Sequence, residues 1–209
     1  ALIGTSVARG LVRSRAKLSY TAAQADLDAG RGGEQLELLR TIGTLRQQIE
    51  VERGGVSLSV PEQEIVATDQ RWELAYRAPL PVEDWNAQLS LATGMAAAAL
   101  MMNAGIGILR TLPPARDSSI SKLRRTASAL GISWPHAMEY PEFVRSLSAS
   151  VPAHAAMLNA CTMLFRGAGY QAFTGEAPAQ PMHAAIAAPY AHTTAPLRRL
   201  VDRYTGETC

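Results

Sequence analysis

Cysteine is scarce in this chain, and so is any surplus of charge. Its two cysteines, Cys161 and Cys209, make no disulfide framework in 209 residues, so a reducing, cytoplasmic setting is expected rather than a secreted scaffold. Twenty Lys and Arg against 18 Asp and Glu leave a net charge of +2. That is too small to announce a nucleic-acid partner by itself, and what counts is where the cations sit. No secretory signal opens the sequence, and no internal repeat or low-complexity tract interrupts it. His136, His154 and His183 share no metal-ligand spacing. An initiator methionine is also missing. The chain starts Ala-Leu-Ile-Gly and stops at Cys209 inside a helical pattern, so it is expected to be an excerpt, truncated at both ends, of a longer polypeptide. Hydrophobic residues make up 47%, ample for the core of a single domain over 1–209.

Charge is missing locally as well. Leu89 to Leu109 holds no charged residue over 21 positions, long enough to cross a bilayer. The stretch is dominated by Ala, carries Ser90, Thr93, Asn103 and three Gly, and lacks a basic cluster or aromatic belt. A buried central helix of a soluble domain explains it as well. A helical membrane or interaction protein built around this helix stays as an alternative.

Periodicity gives a coarse order of elements. Residues 5–19 read as a strand, with Arg9, Leu11, Arg13, Arg15 and Lys17 on one face, a local basic stripe. A solvated sheet face is the bland account of that stripe. Thr21 caps a short helix to about Ala29. From Glu34, Leu36, Leu39, Ile42, Leu45 and Ile49 recur at helical spacing until Gly54-Gly55. Residues 63–78 read as a hairpin turning at Asp69-Gln70, followed by a long helix from about Val82 to Ala104. Gly105–Pro114 reads as a connection. Helices are expected near 118–131, 139–148 and 152–167, then a short extended piece at Tyr170–Phe173 and a Pro-rich loop at 176–182. This is an α+β pattern, mixed and helix-rich with a small antiparallel sheet.

The densest chemistry lies in Tyr190-Ala-His-Thr-Thr-Ala-Pro-Leu-Arg-Arg199. Thr194 is placed as an N-cap and Pro196 in the first turn of a final helix. A helix N-terminus attracts anions through its free N–H groups, and a guanidinium matches phosphate with a planar fork. Arg198 and Arg199 are therefore candidates for a phosphodiester clamp. The bland account of the pair is an i,i+4 surface bridge from Arg198 to Asp202.

The same residues resemble a motif of the RNB-domain exoribonucleases, the ribonuclease II and R type, of the form Tyr-x-His-aromatic-Thr-Ser-Pro-Ile-Arg-Arg-Tyr-x-Asp. Tyr190, His192, Thr194, Pro196, Arg198, Arg199 and Asp202 stand at matching positions, while Thr193, Ala195 and Leu200 depart. Ser14-Arg-Ala-Lys-Leu-Ser-Tyr20 is similar to a second family segment, whose Tyr packs on a base at the RNA 3′ end. The resemblance implies a partial RNB catalytic domain that binds single-stranded RNA and hydrolyses it from the 3′ end with Mg²⁺. It implies Arg198 at the scissile phosphate and Arg199 in anchoring or support. It also implies Tyr20 as a base-stacking platform, with Arg13, Arg15, Lys17, Tyr190 and Thr194 toward RNA. His192, Pro196 and Asp202 would support the loop. Tyr190 has two readings, beneath the clamp or against the RNA.

The family's metal-binding aspartates would lie before Ala1, so the Mg²⁺ ligands are expected outside this chain and the excerpt alone is expected to be inactive. Asp26 and Asp28 point to different helix faces, and Glu83-Asp84 reads as a helix first turn. Cys161 and the tryptophans Trp72, Trp85 and Trp134 read as core. The alternative within the family is a non-catalytic RNA-binding relative. No membrane and no protein partner is expected.

Overall fold

The computed structural model describes residues 4–68 and 71–209. Three helices are cut by their caps. Helix α1 (Tyr20–Asp28) starts where the Ser19 hydroxyl accepts from the Ala22 amide at 3.2 Å. Helix α2 (Gly33–Arg53) ends where Gly54 turns left-handed at φ 82°. A hairpin of β1 (Glu62–Ala67) and β2 (Trp72–Arg77) leads to α3 (Pro81–Ala104). There the Glu83 carboxylate accepts from the Leu80 amide at 2.9 Å. Arg77 ties the hairpin to that helix start, bonding Glu62, Glu64 and Glu83 at 2.8, 2.9 and 2.5 Å. The Arg77 guanidinium in turn holds Glu83 below the usual carboxylate range.

After Gly105 comes β3 (Ile106–Thr111), which pairs antiparallel with β4 (Gly169–Thr174) from Ile106↔Thr174 to Thr111↔Gly169. Between them lie α4 (Asp117–Ala129), α5 (Tyr140–Arg145) and α6 (Pro152–Cys161), the last running into a 3₁₀ turn at Thr162–Phe165. Two short strands, β5 (Met182–His183) and β6 (Ala188–Pro189), and α7 (Leu200–Thr208) complete the order. The α+β, helix-rich class holds, with the strands among the described residues in three two-stranded sheets rather than one.

The core is in three parts. Leu123, Phe143, Met157, Leu158 and Cys161 join α4, α5 and α6, with Trp134 stacked on Phe143 at 3.8 Å. Ala23, Leu27 and Val82 close α1 over the start of α3. Ala97, Ala98, Met101 and Leu109 join α3 and β3 beneath Ala191. That third cluster explains the charge-free run: its alanines are buried against protein, and among the described residues no helix is long and apolar enough to cross a membrane.

Five expectations are corrected. Ser19, not Thr21, caps α1, and Thr21 lies within its first turn. Residues 5–19 form no strand; residues 4–19 have no regular structure, and Arg13, Arg15 and Lys17 are all exposed. An alternating pattern makes a strand only beside a partner edge, and this segment has no strand partner among the described residues. Among the described residues, its one side-chain tie to a distant element is the ion pair of Arg9 with Glu207 on α7. Residues 105–114 hold β3 rather than a plain connection. The final helix begins at Leu200, so Thr194 is not its cap and Pro196 lies ahead of it. Trp72 is not core: it is 75% exposed on an apolar hairpin face with Leu74 and Tyr76. The Asp69-Gln70 turn lies outside the described residues.

Helices α2 and α3 meet at Gly43, where a Cβ would come within 2.7 Å of the Trp85 Cα. Backbone cannot yield as a flexible side chain does. Gly43→Ala is therefore expected to lower stability by about 1–3 kcal/mol in urea unfolding; an unchanged midpoint would show that the helices separate freely.

Candidate functional site

The terminal motif is a loop seated on α3. Tyr190 and Ala191 are buried at 6% and 0% exposure, and the Ala191 amide donates to the Gly94 carbonyl at 3.1 Å. Glycine is required there, because a Cβ on residue 94 would sit 2.1 Å from the Tyr190 ring and 2.5 Å from the Ala191 carbonyl. From the other side the Arg110 amide donates to the Tyr190 carbonyl at 2.8 Å. Tyr190 thus lies beneath the loop.

Past Tyr190 the loop rises to the surface. His192 and Thr193 are half-buried; Thr194, Pro196, Leu197 and Arg198 are exposed. The chain then makes one turn, with the Arg198 and Arg199 amides both donating to the Ala195 carbonyl at 3.1 and 2.9 Å. One carboxylate fixes that turn. Asp202, 2% exposed, accepts from the Ala195 amide at 2.7 Å and from Arg199 Nη2 at 2.9 Å. Burial raises its pKa, but the Arg199 guanidinium and the Ala195 amide outweigh burial and hold it below the usual carboxylate range.

The arginine pair is therefore divided. Arg199 points inward to Asp202, and the bridge is i,i+3 from Arg199 rather than i,i+4 from Arg198. Arg198 is exposed and has no ion pair or side-chain hydrogen bond among the described residues.

His192 links the loop to β4, sharing a 2.8 Å hydrogen bond between its Nδ1 and the Tyr170 hydroxyl. Its ring lies edge-on to Tyr190 at 5.6 Å and to Tyr170 at 5.7 Å. Burial, with the charges of Arg199 and Arg110 beside it, lowers its pKa to about 4, so it is neutral at pH 7. Thr193 Oγ1, Arg199 Nε, Asp202 Oδ2 and His183 Nδ1 are buried without a partner among the described residues.

Tyr20, at the start of α1, is exposed, and its hydroxyl accepts from Asn86 Nδ2 at 2.9 Å. The phenol is held from α3 while the ring stays open to solvent. A groove of about 1000 Å³ between the hairpin and α6, lined by Tyr76, Pro152 and Asn159 among others, shares no lining residue with the motif.

The acids do not fit a Mg²⁺ site. Asp26 pairs with Arg31, Asp28 accepts from Gln24, and Glu83 is held by Arg77. No group of three or more His, Cys, Asp or Glu that could hold a metal occurs among the described residues.

Comparison with known proteins gives the chain a family. The sequence matches the RNB domain over residues 1–206, and the chain belongs to that family. No curated protein matches the sequence. Among solved structures it is similar to RNase R of Mycoplasma genitalium in complex with ribose-methylated single-stranded RNA, with a TM-score of 0.71 and 20% identity, covering 90% of this chain and 31% of that one. It is also similar to yeast Ssd1, a pseudonuclease, with a TM-score of 0.58, 15% identity, and coverage of 91% and 24%. A third similar structure is the Dss1 exoribonuclease of Candida glabrata, with a TM-score of 0.54, 13% identity, and coverage of 88% and 24%. At these identities the likeness is one of fold. The chain spans about a third of the length of the RNase R structures it matches.

Of the residues singled out from sequence, the structure pairs Tyr190 with His192 and Arg199 with Asp202, and leaves Arg198 exposed. It leaves Arg13, Arg15 and Lys17 on the exposed arm. Gly94, Arg110 and Tyr170 were missed. The one available signal was that Arg110 is the first charge after the 21 uncharged positions.

The depressed His192 sets a pH dependence. The unfolded chain binds a proton near pH 6.5 and the folded one only near pH 4, so stability is full above about 6.5 and falls as pH drops toward 4. Thermal melts from pH 7 to 4 should show this loss, and His192→Asn should flatten it. An equally steep loss in His192→Asn would assign it to other groups.

Proposed function

We propose that the protein binds single-stranded RNA at the terminal motif and serves Mg²⁺-dependent 3′-to-5′ exoribonucleolytic hydrolysis, residues 1–209 forming the C-terminal part of the catalytic domain. The observation that carries this reading is the exposed, unpaired Arg198 beside an Arg199 consumed by Asp202. A guanidinium held ready at the surface, on a loop fixed from below, suits a phosphate whose charge grows during displacement. Arg198 takes the scissile phosphate and Arg199 holds the turn. Thr194 lies exposed on the same loop and approaches the RNA backbone. Arg13, Arg15 and Lys17, carried on an unstructured arm, add backbone contacts that depend on charge rather than sequence. Tyr20 stacks a base through its open ring. Tyr190, being buried, supports the loop. No cluster of three or more candidate metal ligands occurs among the described residues, so no hydrolytic step is assigned to them alone; their part is to bind, orient and neutralise.

A second reading is an RNA-binding relative without turnover. The departures Thr193, Ala195 and Leu200, together with the fold likeness to a pseudonuclease, favour it.

In the intact protein, Arg198→Ala is expected to cut hydrolysis of a single-stranded oligoribonucleotide by about 100-fold or more, with a much smaller loss of binding. Tyr20→Ala should change the length of the final product. Turnover that survives Arg198→Ala contradicts the clamp. An intact protein that binds RNA through Arg198 and leaves it uncut belongs to the second reading.

A further inference from the structure

The motif is not the only place where a cation meets this patch. Arg110 lies on β3, half-buried, in register with the motif through the bond from its own amide to the Tyr190 carbonyl, 2.8 Å. Its Cζ stands 4.7 Å from the centroid of the Tyr170 ring. The Tyr170 hydroxyl in turn shares the 2.8 Å bond with His192 of the motif. Arg110 is thus joined through Tyr170 to His192 and Tyr190 of the motif, although 80 or more residues separate it from them in sequence.

Like Arg198, Arg110 has no acid or carbonyl partner among the described residues, but it is half-buried and stacked. Arg77 and Arg199 pair with carboxylates. Arg53, Arg124 and Arg145 donate to backbone carbonyls. Arg110 makes no side-chain hydrogen bond and no ion pair among the described residues; its only recorded side-chain partner is an aromatic face. Stacking of that kind fixes the plane of a guanidinium and leaves its five N–H donors free at the edge. A planar fork with unspent donors, on a strand bonded to the loop that carries Arg198, suits a polyanion. As a purely structural contact, the stack would neutralise nothing and would keep a charge partly desolvated for little return.

Resting on the RNA-binding reading above, we propose that Arg110 is a second backbone contact of the site. It takes another phosphate of the same strand that Arg198 engages, and Tyr170 is its positioning residue. The strand is gripped at two points, one on the motif loop and one on β3, so the loop is referenced to the sheet rather than to the arm alone.

The test is the salt dependence of binding to a single-stranded oligoribonucleotide, read by fluorescence anisotropy. Arg110→Met keeps a long side chain packed on Tyr170 and removes the charge. It is expected to reduce the slope of log K against log salt by about 0.7, the amount for one phosphate contact on a single strand. Affinity at low salt should fall about five- to tenfold. Arg110→Lys should restore the slope, since it keeps the charge. Tyr170→Phe keeps the ring and should bind like the parent, whereas Tyr170→Leu should weaken binding with the parent slope retained. Arg110→Gln gives a second reading of the slope should the Met variant fold poorly. A parent-like slope and affinity in both Arg110→Met and Arg110→Gln, with Arg198→Ala still weakened, overturns this proposal and leaves the RNA reading standing. A parent protein that does not bind the oligoribonucleotide at all removes both.

Discussion

The site depends on a single buried carboxylate. Asp202 lies in the first turn of α7 and reaches back to the Ala195 amide and across to Arg199. Those two bonds close the turn that carries Pro196 and Leu197, and they consume one of two adjacent guanidiniums. Two neighbouring cations would otherwise repel one another and compete for the same partner. With Arg199 neutralised inside, Arg198 is left outside with its donors free. A charge-assisted bond to a buried carboxylate contributes about 1.5–3 kcal/mol, enough to hold a surface loop in one conformation.

That turn needs a floor, and α3 supplies it. The helix is apolar nearly all round because most sides meet protein: α2 at Gly43, β3 through Met101 and Leu109, and the motif loop at Gly94. Glycines 43 and 94 let α2 and the loop approach at backbone distance. The loop is thereby set on a rigid element, a better base for positioning a charge than the arm of residues 4–19. His192, held neutral at pH 7 by burial and by the charges of Arg199 and Arg110, adds no third charge to them.

Contiguity decided what could be read from sequence. The motif could be read because its members lie within thirteen positions, Tyr190 to Asp202. The long helices could be read because their periodicity and glycine ends are local. Gly94, Arg110 and Tyr170 could not, since each acquires its meaning from a contact with residues far along the chain. Strand β3 was hidden by its neighbours: Ile106 to Leu109 continue the uncharged run of α3, and Leu112-Pro-Pro reads as a break. The strand expected at 5–19 failed for the opposite reason. Its alternation is genuine, but alternation describes faces, and a face exists only against a neighbour. The final helix was placed too early because Pro196 and Thr194 imitate a helix start, whereas the Asp202 carboxylate occupies the Ala195 amide and holds a separate turn ahead of Leu200.

The most direct measurement is a side-chain ¹⁵N NMR titration of the arginine Nε–H groups with a single-stranded oligoribonucleotide. The account predicts that the Arg198 resonance shifts and becomes protected from solvent exchange, while the Arg199 resonance, already buried against Asp202, stays where it was. Movement of Arg199 with a silent Arg198, or no movement of either at saturating RNA, would contradict it.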